Sequence, residues 1–101
     1  MKIVGFEWDE GNALHIELGH GIVQAEAEEV FAVNPLFRKT KRGHYSVMGP
    51  TLDGRHLIVI FELKKGRIAR VITGWDMKDS EKRYYHKNKR SKLYYEDKSI
   101  S

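Results

Sequence analysis

From residue 36 to residue 75 the chain alternates apolar and polar positions with a period of two, while the spacing before that point is mostly helical. PLFRKTK (35–41), HYSVMGPTL (44–52), RHLIVIFEL (55–63) and RIARVITGW (67–75) read as four strands, because alternation sends successive side chains to opposite faces of a sheet. Arg42-Gly43, Asp53-Gly54 and Lys65-Gly66 separate them. Asp53-Gly54 is the strongest hairpin signal, since glycine accepts the positive φ that a tight turn requires. Links this short predict an antiparallel meander. The unbroken apolar run LIVIF at 57–61 marks a central strand covered on both faces.

In the N-terminal third, IVGFEW (3–8) alternates and predicts a short strand. Asp9 is placed to cap a helix running to about residue 18, with Gly19 and Gly21 as stops. A second helix is expected over roughly 23–33, where Val23, Ala27, Val30 and Phe31 share a face and Glu26, Glu28 and Glu29 fall largely outside it. Asn34-Pro35 ends it, because a residue before proline avoids the helical region. Asp76 or Asp79 can cap a last helix that carries KDSEKRYYHK (78–87). The order β-α-α-β-β-β-β-α predicts one α+β domain over residues 1–87, with two N-terminal helices packed on the meander and a C-terminal helix after it. Residues 88–101 read as a charged tail.

Charge sharpens this division. Residues 1–37 hold one base and seven acids, whereas residues 38–77 hold nine bases and three acids. Residues 78–101 add eight bases and four acids. A basic C-terminal two thirds favours a nucleic-acid partner. No run approaches the ~20 apolar residues that cross a bilayer, and MKIVGFEWDE lacks the apolar centre of a signal peptide. The expected location is therefore cytoplasmic, with no membrane partner. Without cysteine the chain has no disulfide, thiolate metal site or cysteine nucleophile.

Candidate chemistry gathers in the strand at 67–75 and the helix after it. Arg70 interrupts an apolar strand on the face of Ile68 and Ile72. A desolvated guanidinium is costly, so it calls for a carboxylate (Glu81, Glu62 or an acid of the first helix) or an anionic ligand. Glu81, Tyr84 and Tyr85 share one helical face at i, i+3 and i+4. Cleavage of RNA by transesterification needs a base for the 2′-OH, positive charge on the phosphorane and an acid for the leaving oxygen. Arginine, glutamate and tyrosine can supply these. His15, His20, His44, His56 and His86 show no compact ligand spacing, so neither a metal nor a cofactor is expected. His20 can cap the first helix through its dipole or act as a further candidate acid or base.

Taken with FEWDEGN (6–12), HGI (20–22), EAEEVF (26–31), DGRHL (53–57), RVIT (70–73), DM (76–77) and EKRYY (81–85), the chain resembles the BrnT family of type II toxins across about residues 5–87. The resemblance implies a RelE-like α+β fold, ribonuclease activity on cellular RNA, and neutralisation by a BrnA-like antitoxin. Such an antitoxin carries a ribbon-helix-helix domain, so DNA is reached only through it. By the same resemblance Arg70, Glu81 and Tyr84 are the expected catalytic residues. Arg55, Arg67, Lys82, Arg83, Tyr85 and Trp75 are the expected RNA contacts. Trp75 stands where many members carry a second arginine. A catalytically degenerate module that binds RNA or antitoxin is the alternative expectation.

Overall fold

The computed structural model describes residues 1–100 in backbone and residues 1–89 in side chain. In chain order the elements are β1 (Gly5–Glu7), α1 (Glu10–His20), α2 (Gln24–Ala32), β2 (Leu36–Lys39), β3 (His44–Pro50), β4 (His56–Lys64), β5 (Ile68–Asp76) and α3 (Asp79–Ile100), with a 3-10 turn at Lys41–Gly43 before β3. The expected element order holds. The stretch read as a tail, 88–101, falls within α3 as far as Ile100, and its side chains beyond residue 89 lie outside the described residues.

The five strands form one sheet in the order β1-β5-β4-β3-β2. β2 to β5 are the expected antiparallel meander, turning at Gly43, Gly54 and Gly66, each with positive φ. The correction lies at the far edge, where β1 runs parallel to β5 with Gly5 opposite Ile68 and Glu7 opposite Arg70. The sheet is therefore mixed. A strand of three residues carries too little pattern to announce its partner.

β4 is the middle strand, and its apolar run is covered on both sides. Leu57, Val59 and Phe61 pack with Ile16, Ile22, Ala27 and Val30 from the α1–α2 side. Ile58 packs on the opposite face with Leu36, Met48, Met77 and Tyr85 of α3. Each fully buried large side chain stabilises the fold by about 1.5–3 kcal/mol relative to exposure.

A register shift between Ile60 and Phe61 sets Ile60 opposite Thr73 and Phe61 opposite Val71, leaving Ile72 as an extra residue in β5. A bulge of this kind resets which face later side chains take. Ala69 and Val71 lie in the α1–α2 core before it, whereas Trp75 after it packs on the α3 side.

Local caps explain the helix limits. The Asp9 carboxylate accepts from the Asn12 backbone N–H at 3.0 Å while the Asn12 side chain accepts from the Asp9 N–H at 2.8 Å. α1 runs through Gly19 and stops at Gly21, whose φ of 65° is left-handed. Val23, expected on the buried face of α2, is its exposed N-cap instead, with its N–H bonded to the Glu26 side chain. Gly49 of β3 lies under the end of α2, where an added Cβ would stand 3.2 Å from the Val33 carbonyl oxygen and 3.4 Å from that of Val30. No helix among the described residues is long and apolar enough to cross a membrane.

Candidate functional site

The α3 face of the sheet carries a cavity of about 350 Å³. Its floor is built from cross-strand neighbours. Met48, Ile58 and Trp75 lie opposite one another on β3, β4 and β5, and Arg38, Ser46 and Ile60 form the adjacent row on β2, β3 and β4. Ser80, Glu81 and Tyr84 of α3 form the roof, and Thr40 closes the β2 end.

Strand alternation puts Arg38 on the face of the buried Leu36, two residues before it, so its guanidinium reaches over the sheet toward α3. There it stands 4.8 Å from the centre of the Tyr84 ring, within cation–π range. Glu81 accepts the Lys78 backbone N–H through Oε1 at 2.8 Å. It thus caps the start of α3, a part expected of Asp76 or Asp79. Apolar floor, acidic and basic rim groups and two aromatic rings share one space, as small-molecule and nucleotide sites do.

Arg70 is not part of this space. Its Nη1 donates to Glu7 at 2.9 Å and its Nη2 lies 2.9 Å from Asp9. The expectation that the Arg70 charge needs a carboxylate is met, but by β1 and the cap of α1 rather than by Glu81. The Asn12 N–H and then the Arg70 guanidinium hold the Asp9 carboxyl below the usual carboxylate range. The hydrogen bonds that Arg70 donates to Asp9 and Glu7 raise its pKa in turn.

Arg55 is also committed internally. Its Nε and Nη2 grip Asp76 at 2.7 and 2.9 Å, Nη1 reaches the Gly21 carbonyl at 2.8 Å and Glu26 at 3.1 Å, and Nη2 reaches the His20 carbonyl at 3.3 Å. In this way Arg55 forms a clamp joining the α1–α2 link to the end of β5. Tyr85, expected to contact RNA, is fully buried, and its hydroxyl donates to the Asn34 carbonyl at 2.6 Å. Burial pushes the phenol pKa up. Arg67 sits exposed in the β4–β5 turn, 3.5 Å from the Lys2 carbonyl, while Lys82 and Arg83 are exposed on α3.

His20 ends α1, and its Nε2 lies 3.3 Å from the Thr73 hydroxyl, which His15 Nε2 also approaches at 3.1 Å. This pair lies apart from the residues that line the cavity. Among the described residues, no group of three or more His, Cys, Asp or Glu is placed to hold a metal ion.

The structure therefore unites Glu81, Tyr84 and Trp75 of the expected set and leaves Arg70, Arg55, Tyr85 and His20 elsewhere. Arg38, Thr40, Ser46 and Ser80 join the site without having been singled out. The period-two pattern Leu36-Phe37-Arg38 carried the signal for Arg38, because Leu36 fixes the buried face.

No family model matches the sequence, and no curated protein matches it. A solved structure does, that of the Brucella abortus ribonuclease toxin BrnT, with a TM-score of 0.63 at 19% identity over 74% of this chain and 97% of that chain. The fold is BrnT-like. At this identity the likeness concerns architecture, and nearly all of BrnT is represented in it.

Proposed function

We propose that the protein is the toxin of a type II toxin–antitoxin pair, a metal-independent endoribonuclease of RelE-like layout that acts on cellular RNA in the cytoplasm. The observation that carries this reading is the α3-face cavity, where Glu81, Arg38, Tyr84 and Trp75 line one space on a BrnT-like fold. In the reaction, Glu81 takes the proton from a ribose 2′-OH as that oxygen bonds to phosphorus. Arg38 stabilises the charge that builds on the phosphorane oxygens. The P–O5′ bond breaks, and Tyr84 protonates the leaving 5′-oxygen, giving a 2′,3′-cyclic phosphate and a 5′-OH. Arg67, Lys82 and Arg83 are exposed cations suited to backbone phosphates. A BrnA-like ribbon-helix-helix antitoxin neutralises the toxin and supplies any contact with DNA.

The test is induction without a partner, followed by growth and RNA integrity, with the purified protein assayed on RNA in excess EDTA. Growth arrest with EDTA-resistant cleavage supports the reading. Normal growth and intact RNA at good expression refute it.

A second reading, a module that binds RNA or antitoxin without cutting, is favoured by the carboxylate pairing of Arg55 and Arg70. Arg38 is then the arginine lining the cavity, and Trp75 holds a position where the resemblance leads one to expect a second. Tight RNA binding without cleavage supports that reading.

A further inference from the structure

Resting on the assignment of this cavity to RNA, we propose that it takes one unpaired purine nucleotide, with the base laid on the Trp75 indole and its phosphate at Arg38. Trp75 and Arg38 stand on β5 and β2, three strand intervals apart. That separation is ~14 Å at the usual interval of ~4.8 Å. The length of the arginine side chain closes part of it and leaves the span of a single nucleotide. The cavity's volume of about 350 Å³ falls near the lower end of ligand sites, which run from ~300 to ~1,000 Å³. It suits one nucleotide rather than a stacked run.

Polarity divides the cavity in the same sense. Next to Trp75 the floor runs across Ile58 to Met48, while the β2 side offers the Arg38 guanidinium and the Ser46 and Thr40 oxygens. An apolar, aromatic end beside a cationic, hydroxyl-bearing end matches a nucleotide's flat base and charged phosphate. A bicyclic base covers more of the indole and of the apolar floor than a pyrimidine, and stacking strength is what gives sites without base-edge readout their preferences. The bulge at Ile72 is what makes this available, because it turns Trp75 onto the α3 side.

The proposal is tested by titrating nucleoside 5′-monophosphates into protein carrying labelled methionine methyl groups. Met48 lines the cavity, and the exposed Met1 serves as the internal reference. The Met48 resonance is expected to shift saturably with the adenine and guanine nucleotides, and about fivefold more tightly than with cytosine and uracil nucleotides. Trp75→Leu should weaken purine binding about tenfold, as loss of one base–aromatic stack does, while Trp75→Phe retains most of it. Ribose 5-phosphate should leave Met48 unmoved. An unmoved Met48 with purines, equal binding of pyrimidines, or undiminished binding by a folded Trp75→Leu protein overturns the assignment. Should Trp75→Leu fail to fold, the Trp75→Phe and pyrimidine comparisons decide alone. These readouts need no cleavage. A protein that cuts RNA but ignores purine nucleotides refutes the subsite only, and one that binds them without cutting refutes the ribonuclease reading only.

Discussion

Arg55 holds Asp76 through two parallel hydrogen bonds of 2.7 and 2.9 Å, while the same guanidinium closes on the backbone that links α1 to α2. The contact joins a hairpin turn, a helix end and the last residue of β5. It keeps the Asp76 carboxyl below the usual carboxylate range. A carboxylate whose pKa is lower folded than unfolded adds stability above its unfolded pKa, and that stability is lost as pH falls through the folded value.

Asp76→Asn should therefore lower stability by about 1 kcal/mol near neutrality, a modest figure because water screens the half-exposed carboxylate. Urea melts at pH 7 and at pH 3 check it. The gap between native protein and variant should narrow in acid, where the native carboxylate is itself being protonated. A gap that stays constant rules the pair out as its source.

Arg38→Ala and Glu81→Gln should each slow RNA cleavage by about a hundredfold or more. Glutamine keeps an oxygen for the Lys78 N–H, so the Glu81 variant should melt with the native protein. Arg70→Ala should behave oppositely, loosening the β1 edge where Glu7 and Asp9 hold it and sparing much of the cleavage. Paired melting and cleavage assays separate the two. A stable Arg70→Ala protein without activity would return the reaction to the β1–β5 edge.

The adjacent tyrosines should part company. Tyr85→Phe removes the hydrogen bond to the Asn34 carbonyl and should cost about 1 kcal/mol, with specific activity unchanged at a temperature where it is folded. Tyr84→Phe, on the exposed side, should leave the melt unaltered and slow cleavage. Thermal melts beside rate measurements decide, and a destabilised Tyr84→Phe would contradict its placement.

Gly49→Ala should destabilise by about 1–3 kcal/mol, since the new methyl meets backbone oxygens of Val30, Val33 and Asn34 rather than movable side chains. In a chain of this size about 1 kcal/mol shifts the midpoint by roughly 4–8 °C. A melt that moves by less than a degree would show that the end of α2 gives way freely.

The meander, both N-terminal helices and the Asp9 and Gly21 caps were legible because period, turn glycines and caps are local signals. The parallel seating of β1 was not, since it joins residues more than sixty positions apart through only three pairs. Trp75 illustrates a subtler loss. Strict alternation places it with Ala69 and Val71, and one extra residue at Ile72 reverses it without leaving any mark in the apolar pattern. Arg70 and Glu81 looked like neighbours because strand leads directly into helix. The nearer acids from β1 and the α1 cap took the arginine first.

The place of β1 also sets an order of assembly. The first strand to leave the ribosome borders the last strand of the sheet, so its partner does not exist until β5 has been made. The roof of the cavity lies later still, at Ser80, Glu81 and Tyr84. A chain truncated within β5 lacks both the closed edge and the roof. Its Arg38 sits on an open sheet face without the Glu81 and Tyr84 side chains that share its cavity. On the proposed reading, the cavity that would cleave RNA is complete only once β5 and the first turns of α3 are both in place.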